Sequence, residues 1–265
     1  MRRSIFLLAL ISTLAPAAAT AQQRQAERDA FTWSGRVPTG RWLRVRNLSG
    51  RIEVTASSSD RVEVTATKRW RDSDPASVRF EVLKSGRGED DITICALWTD
   101  RTECDESGYE ARNVRNNDVV VDFRVAVPEG VRIAVSSING AVSVEGATSE
   151  VEATSVNGEV SASSSGGPVN ASTTNGRVIA RMGRFDLRED LNFSTVNGSV
   201  VAEFSGDLDA DVELTTVNGR FHSDYEVTLS GRVDPRHLRA RIGKGGRRVR
   251  LTTVNGNVEL RRRDG

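Results

Sequence analysis

Six times the chain returns to one short phrase: SSINGAV, TSVNGEV, TTNGRV, STVNGSV, TTVNGRF and TTVNGNV, with the asparagines Asn139, Asn157, Asn175, Asn197, Asn218 and Asn255. The intervals between them are 18, 18, 22, 21 and 37 residues. A unit of about 20 residues cannot bury an apolar face alone, so each must pack against the next and the fold belongs to the array. The last interval is about twice the others and predicts a coil that has lost its phrase.

Alignment on the asparagine turns the repeats into columns. Six residues before it stand Ile133, Val151, Val169, Leu191, Val212 and Val249; four before stand Val135, Ala153, Ala171, Phe193, Leu214 and Leu251. Two before, every repeat has Ser or Thr, and three after stand Val142, Val160, Val178, Val200, Phe221 and Val258. Period two on both sides of the turn predicts strand, corner, strand, with one face inward. The residue directly before Asn (Ile138, Val156, Thr174, Val196, Val217, Val254) points outward by parity and draws a β-branched stripe up the array.

Two architectures fit the columns. Asn-Gly favours a type I′ hairpin, which allows an antiparallel meander. A parallel solenoid stacks like residues about 4.8 Å apart and also accounts for the unbroken Ser/Thr and Asn columns, as ladders sharing hydrogen bonds along the axis. The expected fold class is therefore all-β, a parallel β-solenoid with about 20-residue coils. The Asn side chains are expected to turn inward, with the following Gly allowing a left-handed corner.

Upstream, WLRVRNLSGRIEV, RVEVTAT, VRFEVLK, DITICAL and VVVDFRVAV alternate less regularly. Residues 36–135 read as an irregular N-terminal β portion that caps or begins the solenoid, continuous with repeats over 136–265. Residues 1–21 read as a signal peptide: Arg2 and Arg3, the apolar run from Ile5 to Leu14, then Ala19-Thr20-Ala21. Residues 22–35 follow as a mobile polar leader. Export predicts a periplasmic, cell-surface or extracellular protein, and it makes Cys95 and Cys104, the two cysteines of the chain, a disulfide rather than a metal or redox pair.

The export signal, the Asn-Gly repeats, RNLSGRIEV and the closing RIGKGGRRVRLTTVNGNVEL together resemble a bacterial family of unknown function known as the putative adhesins, over about residues 40–265. The resemblance implies a β-solenoid and a non-enzymatic surface or envelope protein, and it supplies no catalytic residues.

Chemistry is otherwise sparse. The chain has two histidines, His222 and His237, and no nucleophile elbow, H-E-x-x-H site or phosphate-binding loop. No cofactor and no metal are expected. Asp207, Asp209 and Asp211 alternate in GDLDADVEL and would share one face of a strand, where an acidic row could hold calcium or serve a polysaccharide lyase or hydrolase. Net charge is +1, which excludes a strongly basic nucleic-acid binder. The charge is uneven, however: residues 232–263 carry 11 basic side chains against Asp234 and Glu259. Arg247, Arg248, Arg250, Arg261, Arg262 and Arg263 are the candidate polyanion contacts, with capping of the last coil as the structural alternative.

The expected function is a non-catalytic binding or structural module, a rigid solenoid displaying a side face or its basic end to a surface partner such as an anionic polysaccharide or an envelope protein. No nucleic-acid partner and no membrane span are expected. Two alternatives stay open: the solenoid enzyme using the acidic row, and an envelope-sensing module that docks a protein on the apolar stripe.

Overall fold

A computed structural model of the chain describes residues 30–183, 189–229 and 234–263. The expected signal peptide and residues 22–29 of the expected leader lie outside them. The chain is a parallel β-solenoid flattened into two facing sheets of ten and eleven strands. Among the described residues, helical structure is confined to the 3-10 turns Pro75–Ser77 and Arg87–Glu89.

Each coil gives one strand to each sheet. Arg132–Asn139 and Val142–Ala147 form the Asn139 coil; Val151–Asn157 and Val160–Ser164 form the next. Ile133 lies beside Val151, and Val151 beside Val169, all in parallel register. Parallel neighbours dispose of the hairpin meander, whose strands would run antiparallel. The apolar columns fill the space between the sheets: Val151, Ala153, Val160, Leu191, Phe193, Val249 and Leu251 are all fully buried.

The stack is not in sequence order. The strand Arg248–Thr252 of the Asn255 coil lies between Leu191–Ser194 and Ala210–Thr215, pairing in parallel with both. On the other sheet Val258–Arg263 likewise separates Val200–Ser205 from Phe221–Ser223. After the Asn197 coil the chain therefore builds the terminal Asn218 coil, reverses through His237–Ile242, which lies antiparallel on Ala210–Thr215, and returns to fill the layer it skipped. The long interval holds this reversing strand and the short edge strand Thr228–Leu229 paired outside it, and among the described residues it holds no extra coil. Residues 230–233 of that interval lie outside the described ones.

The N-terminal portion repeats the manoeuvre. Trp42–Ser49 and Ile52–Ala56 form a coil directly under the Asn139 coil. Asp91–Leu97 and Val120–Val127 form the layer beneath it, although they come later in the chain. Antiparallel strands close this end: Arg79–Ser85 on one sheet, Val62–Arg69 and then Ala30–Gly35 on the other. The leader expected over 22–35 is thus corrected over its last six residues, where Phe31 and Trp33 pack against the core. The eight coils among the described residues, at about 4.8 Å each, make a stack roughly 35 Å tall.

The corner explains the phrase. Each buried hydroxyl of the Ser/Thr column donates to the glycine carbonyl of the coil below: Ser155 to Gly140 and Thr173 to Gly158 at 2.9 Å, Thr253 to Gly198 at 2.8 Å. The expected hydroxyl ladder is thereby replaced by side chain to backbone bonds. Glycine is required by close approach, since a Cβ on Gly140, Gly158, Gly176 or Gly198 would overlap the carbonyl oxygen of the glycine beneath. Gly140 and Gly158 have no positive φ, so a left-handed corner is not the common cause.

The Asn ladder forms, but outside. Asn157 donates to Asn139, Asn175 to Asn157, Asn197 to Asn175 and Asn255 to Asn197, each at 2.8 Å, and Asn218 donates to Asn255 at 2.7 Å. All six side chains are exposed. The expected inward turn fails because the Thr at −2 and the Val at +3 are both buried, an odd step apart. Strict alternation must break once, and it breaks at the exposed pair formed by Asn and the residue before it.

Candidate functional site

Charge becomes concentrated where the out-of-order strands meet. On the outer face of the eleven-stranded sheet, Ala210–Thr215 runs between His237–Ile242 and Arg248–Thr252. In each strand small or apolar residues face the core (Ala240 and Ile242, Val212 and Leu214, Val249 and Leu251), so the alternate positions are turned out by the pleat. The register sets Asp211 between Arg241 and Arg248, and Glu213 between Arg239 and Arg250. These six side chains line a shallow open groove of about 350 Å³.

Glu213 is the anchor. It pairs with Arg250 at 3.0 Å, and with Arg239 and His237 at 3.4 Å each. Burial works to raise its carboxyl, but Arg250, Arg239 and His237 outweigh it and hold the group below its ordinary value. Asp211 pairs with Arg241 at 3.3 Å. Arg248 has no carboxylate partner among the described residues; Asp190 accepts its backbone N–H instead. With four guanidinium groups against two carboxylates the groove keeps a charge of about +2, set on three adjacent strands.

The six candidate arginines do not form one patch. Arg248 and Arg250 line the groove, joined by Arg239 and Arg241, which sequence reading counted as charge without assigning a face. Arg261–Arg263 belong to the ten-stranded sheet. There Arg261 pairs with Glu259, and Arg262 pairs with Asp207 at 3.3 Å and lies over the Tyr225 ring at 4.9 Å. Arg247 stands in the turn before the groove strand, its carbonyl accepting the Asp211 N–H. Alternation of Arg239, Arg241, Arg248 and Arg250 with buried residues was the signal that could have separated the two sets.

The acidic row is likewise dispersed. Asp207 and Asp209 precede the strand, which begins at Ala210. Asp207 meets Arg262, Asp209 accepts the Lys244 N–H at 2.8 Å, and Asp211 belongs to the groove. Among the described residues no three His, Cys, Asp or Glu side chains are grouped as a metal site. Cys95 and Cys104 are disulfide-bonded, with Cα atoms 6.3 Å apart. The bridge ties the hairpin Thr102–Cys104/Tyr109–Ala111 to the solenoid end opposite the groove, where Tyr109 Oη donates to the Ala96 carbonyl at 2.8 Å. The apolar stripe is open to solvent, with Val156, Val196, Val217 and Val254 each between 38% and 46% exposed.

The sequence model of the Toastrack DUF4097 family matches residues 36–261. The chain belongs to the Toastrack family. No curated protein matches this Toastrack chain. A solved structure of a putative cell adhesion protein from Clostridium sporogenes superposes with a TM-score of 0.53 at 10% identity, covering 88% of this chain and 99% of that one. It shares the Toastrack architecture. A putative adhesin from Bacteroides fragilis has a TM-score of 0.39 at 13% identity, covering 88% and 97% of the two chains, too loose a superposition to bear on the fold. No described helix is long and apolar enough to cross a membrane.

Proposed function

We propose that the chain is a non-catalytic adhesion-type module of the bacterial envelope or exterior, in which a rigid solenoid presents the arginine groove to an anionic surface partner. One observation carries this reading. The groove gathers four guanidinium groups around two acids on the outer face of three paired strands, and Arg248 is left without a carboxylate partner among the described residues. The disulfide suits an oxidising compartment outside the cytoplasm. The dispersal of Asp207, Asp209 and Asp211 weighs against the enzyme reading, because a hydrolase needs two carboxyl groups flanking one bond.

The test is retention of residues 22–265 on envelope fractions and on a polysaccharide panel at low and high salt, with the chain length of each polymer followed. Retention without cleavage, weakening as salt rises, is the expected result. Shortened polymers would restore the enzyme, and absence of retention at any salt would remove the reading. The exposed valine stripe keeps the protein-docking alternative open: retention that survives high salt and is lost on Val196→Ser would favour it.

A further inference from the structure

We infer that the groove recognises an acidic polysaccharide, the arginines taking its carboxylates while Asp211 and Glu213 accept hydrogen bonds from its hydroxyls. The inference rests on the reading above and specifies its ligand. Three features of the face lead there.

The first is the alternation of charge. Across the three strands each row runs Arg, carboxylate, Arg, so the backbones of a row's two arginines stand two strand spacings apart, about 9.6 Å, with an acceptor between them. A densely charged polymer fits this badly. Each strand of a nucleic-acid duplex places a phosphate about every 3.4 Å of helix axis and would set negative charge against Asp211 and Glu213. A sugar polymer whose charges are separated by hydroxyls meets donors and acceptors in turn, and arginine matches a carboxylate with two parallel N–H donors.

The second is what continues from the groove. The outer positions that follow Glu213 and Arg250 along their strands, Thr215 and Thr252, lead into Ser194, Ser172, Thr154 and Ser136 on successive coils in unbroken register. Neutral hydroxyls thus recur about every 4.8 Å along the stack axis, beside the amides of Asn192 and Asn170. A charged site opening onto a neutral polar track suits a long hydroxyl-rich chain.

The third is the make-up of the groove lining, which is charged apart from the backbone-flanking Val212 and Ala240, both buried. A lipid surface needs an apolar anchor beside the cations, and none is built into the groove.

The experiment measures binding of the full exported chain to polygalacturonate, to neutral dextran and to phosphatidylglycerol vesicles, for the parent and two variants. Arg248→Gln is expected to weaken polygalacturonate binding about tenfold, the loss of one charge-assisted contact. Asp211→Asn separates this inference from simple charge attraction. Removing a negative charge strengthens binding to a generic polyanion, whereas exchanging a charged hydroxyl acceptor for the weaker amide oxygen of Asn, with an N–H donor in place of the second carboxylate oxygen, weakens binding to the sugar about threefold. Both side chains are at the surface, and equal melting temperatures would confirm intact folds. Tighter binding by Asp211→Asn, or vesicles bound as well as polygalacturonate, would overturn the inference. Failure on polygalacturonate with Arg248-dependent retention on envelope fractions would overturn the ligand class and leave the adhesion reading standing. Failure on both would remove both.

Discussion

Removing residues 248–265 is expected to cost the protein the terminal coil as well as the layer deleted. In a stack built in sequence order these residues would be the outermost layer, and their loss would shorten the solenoid by one coil. Here they are an inner layer. Val249, Leu251, Val258 and Leu260 are fully buried, and at roughly 1.5 to 3 kcal/mol per side chain the segment contributes roughly 6 to 12 kcal/mol, comparable with the entire stability of an ordinary domain. Without it the Asn218 coil has nothing to stack on, and the Asn197 coil presents two unpaired strand edges, a template for aggregation. Urea unfolding with limited proteolysis checks this: the coils up to residue 205 should survive digestion while 207–247 is degraded and the chain associates. A truncated protein that stays monomeric and resists protease through Asp224 would contradict the layer order.

Gly198→Ala should be the most damaging single substitution among the surface corners. The new methyl would overlap the Gly176 carbonyl oxygen, which already accepts the Thr195 hydroxyl at 2.9 Å. Neither coil can retreat, because Gly198 also donates to the Asn255 carbonyl at 2.9 Å and its own carbonyl accepts from Thr253. Overpacking of 1 to 3 kcal/mol together with two disturbed hydrogen bonds gives an expected loss of about 3 to 5 kcal/mol. Gly108→Ala is the control, since a methyl there meets nothing within 4 Å. If the two variants unfold at the same urea concentration, close approach is not what keeps glycine in the phrase.

Much of this was legible in the chain because a parallel stack writes its contacts as columns. The positions six and four before Asn and three after it gave the core, and the recurring Ser or Thr gave a buried hydroxyl. The order of the coils was not legible, for the same reason. When every coil carries Val, Thr, Asn and Gly at matching positions, each stacks equally well on any other, and the columns hold no information about which neighbour it has. The 37-residue interval was the trace of the rearrangement, and a missing motif explains that spacing as readily as a reversing strand does.

The groove was hidden by its dependence on that order. Arg239, Glu213 and Arg250 come together only because Arg248–Thr252 is inserted beside Ala210–Thr215 while His237–Ile242 flanks its other side. Linear charge counting merged this face with Arg261–Arg263 on the opposite sheet. At the other end, Ala30–Gly35 carried a readable alternation in Phe31 and Trp33, but it adjoins a polar stretch and was absorbed into it.

Cross-linking between exposed stripe positions tests the layer order on which the groove depends. Val196 and Val254 sit on adjacent coils about 4.8 Å apart, within disulfide reach, while Val196 and Val217 are two coils apart, about 9.6 Å, beyond the 7 Å limit. The protein carrying Val196→Cys with Val254→Cys should oxidise to an internal disulfide, and the one carrying Val196→Cys with Val217→Cys should keep both thiols free. The reverse outcome would place the Asn218 coil next to the Asn197 coil and dismantle the groove.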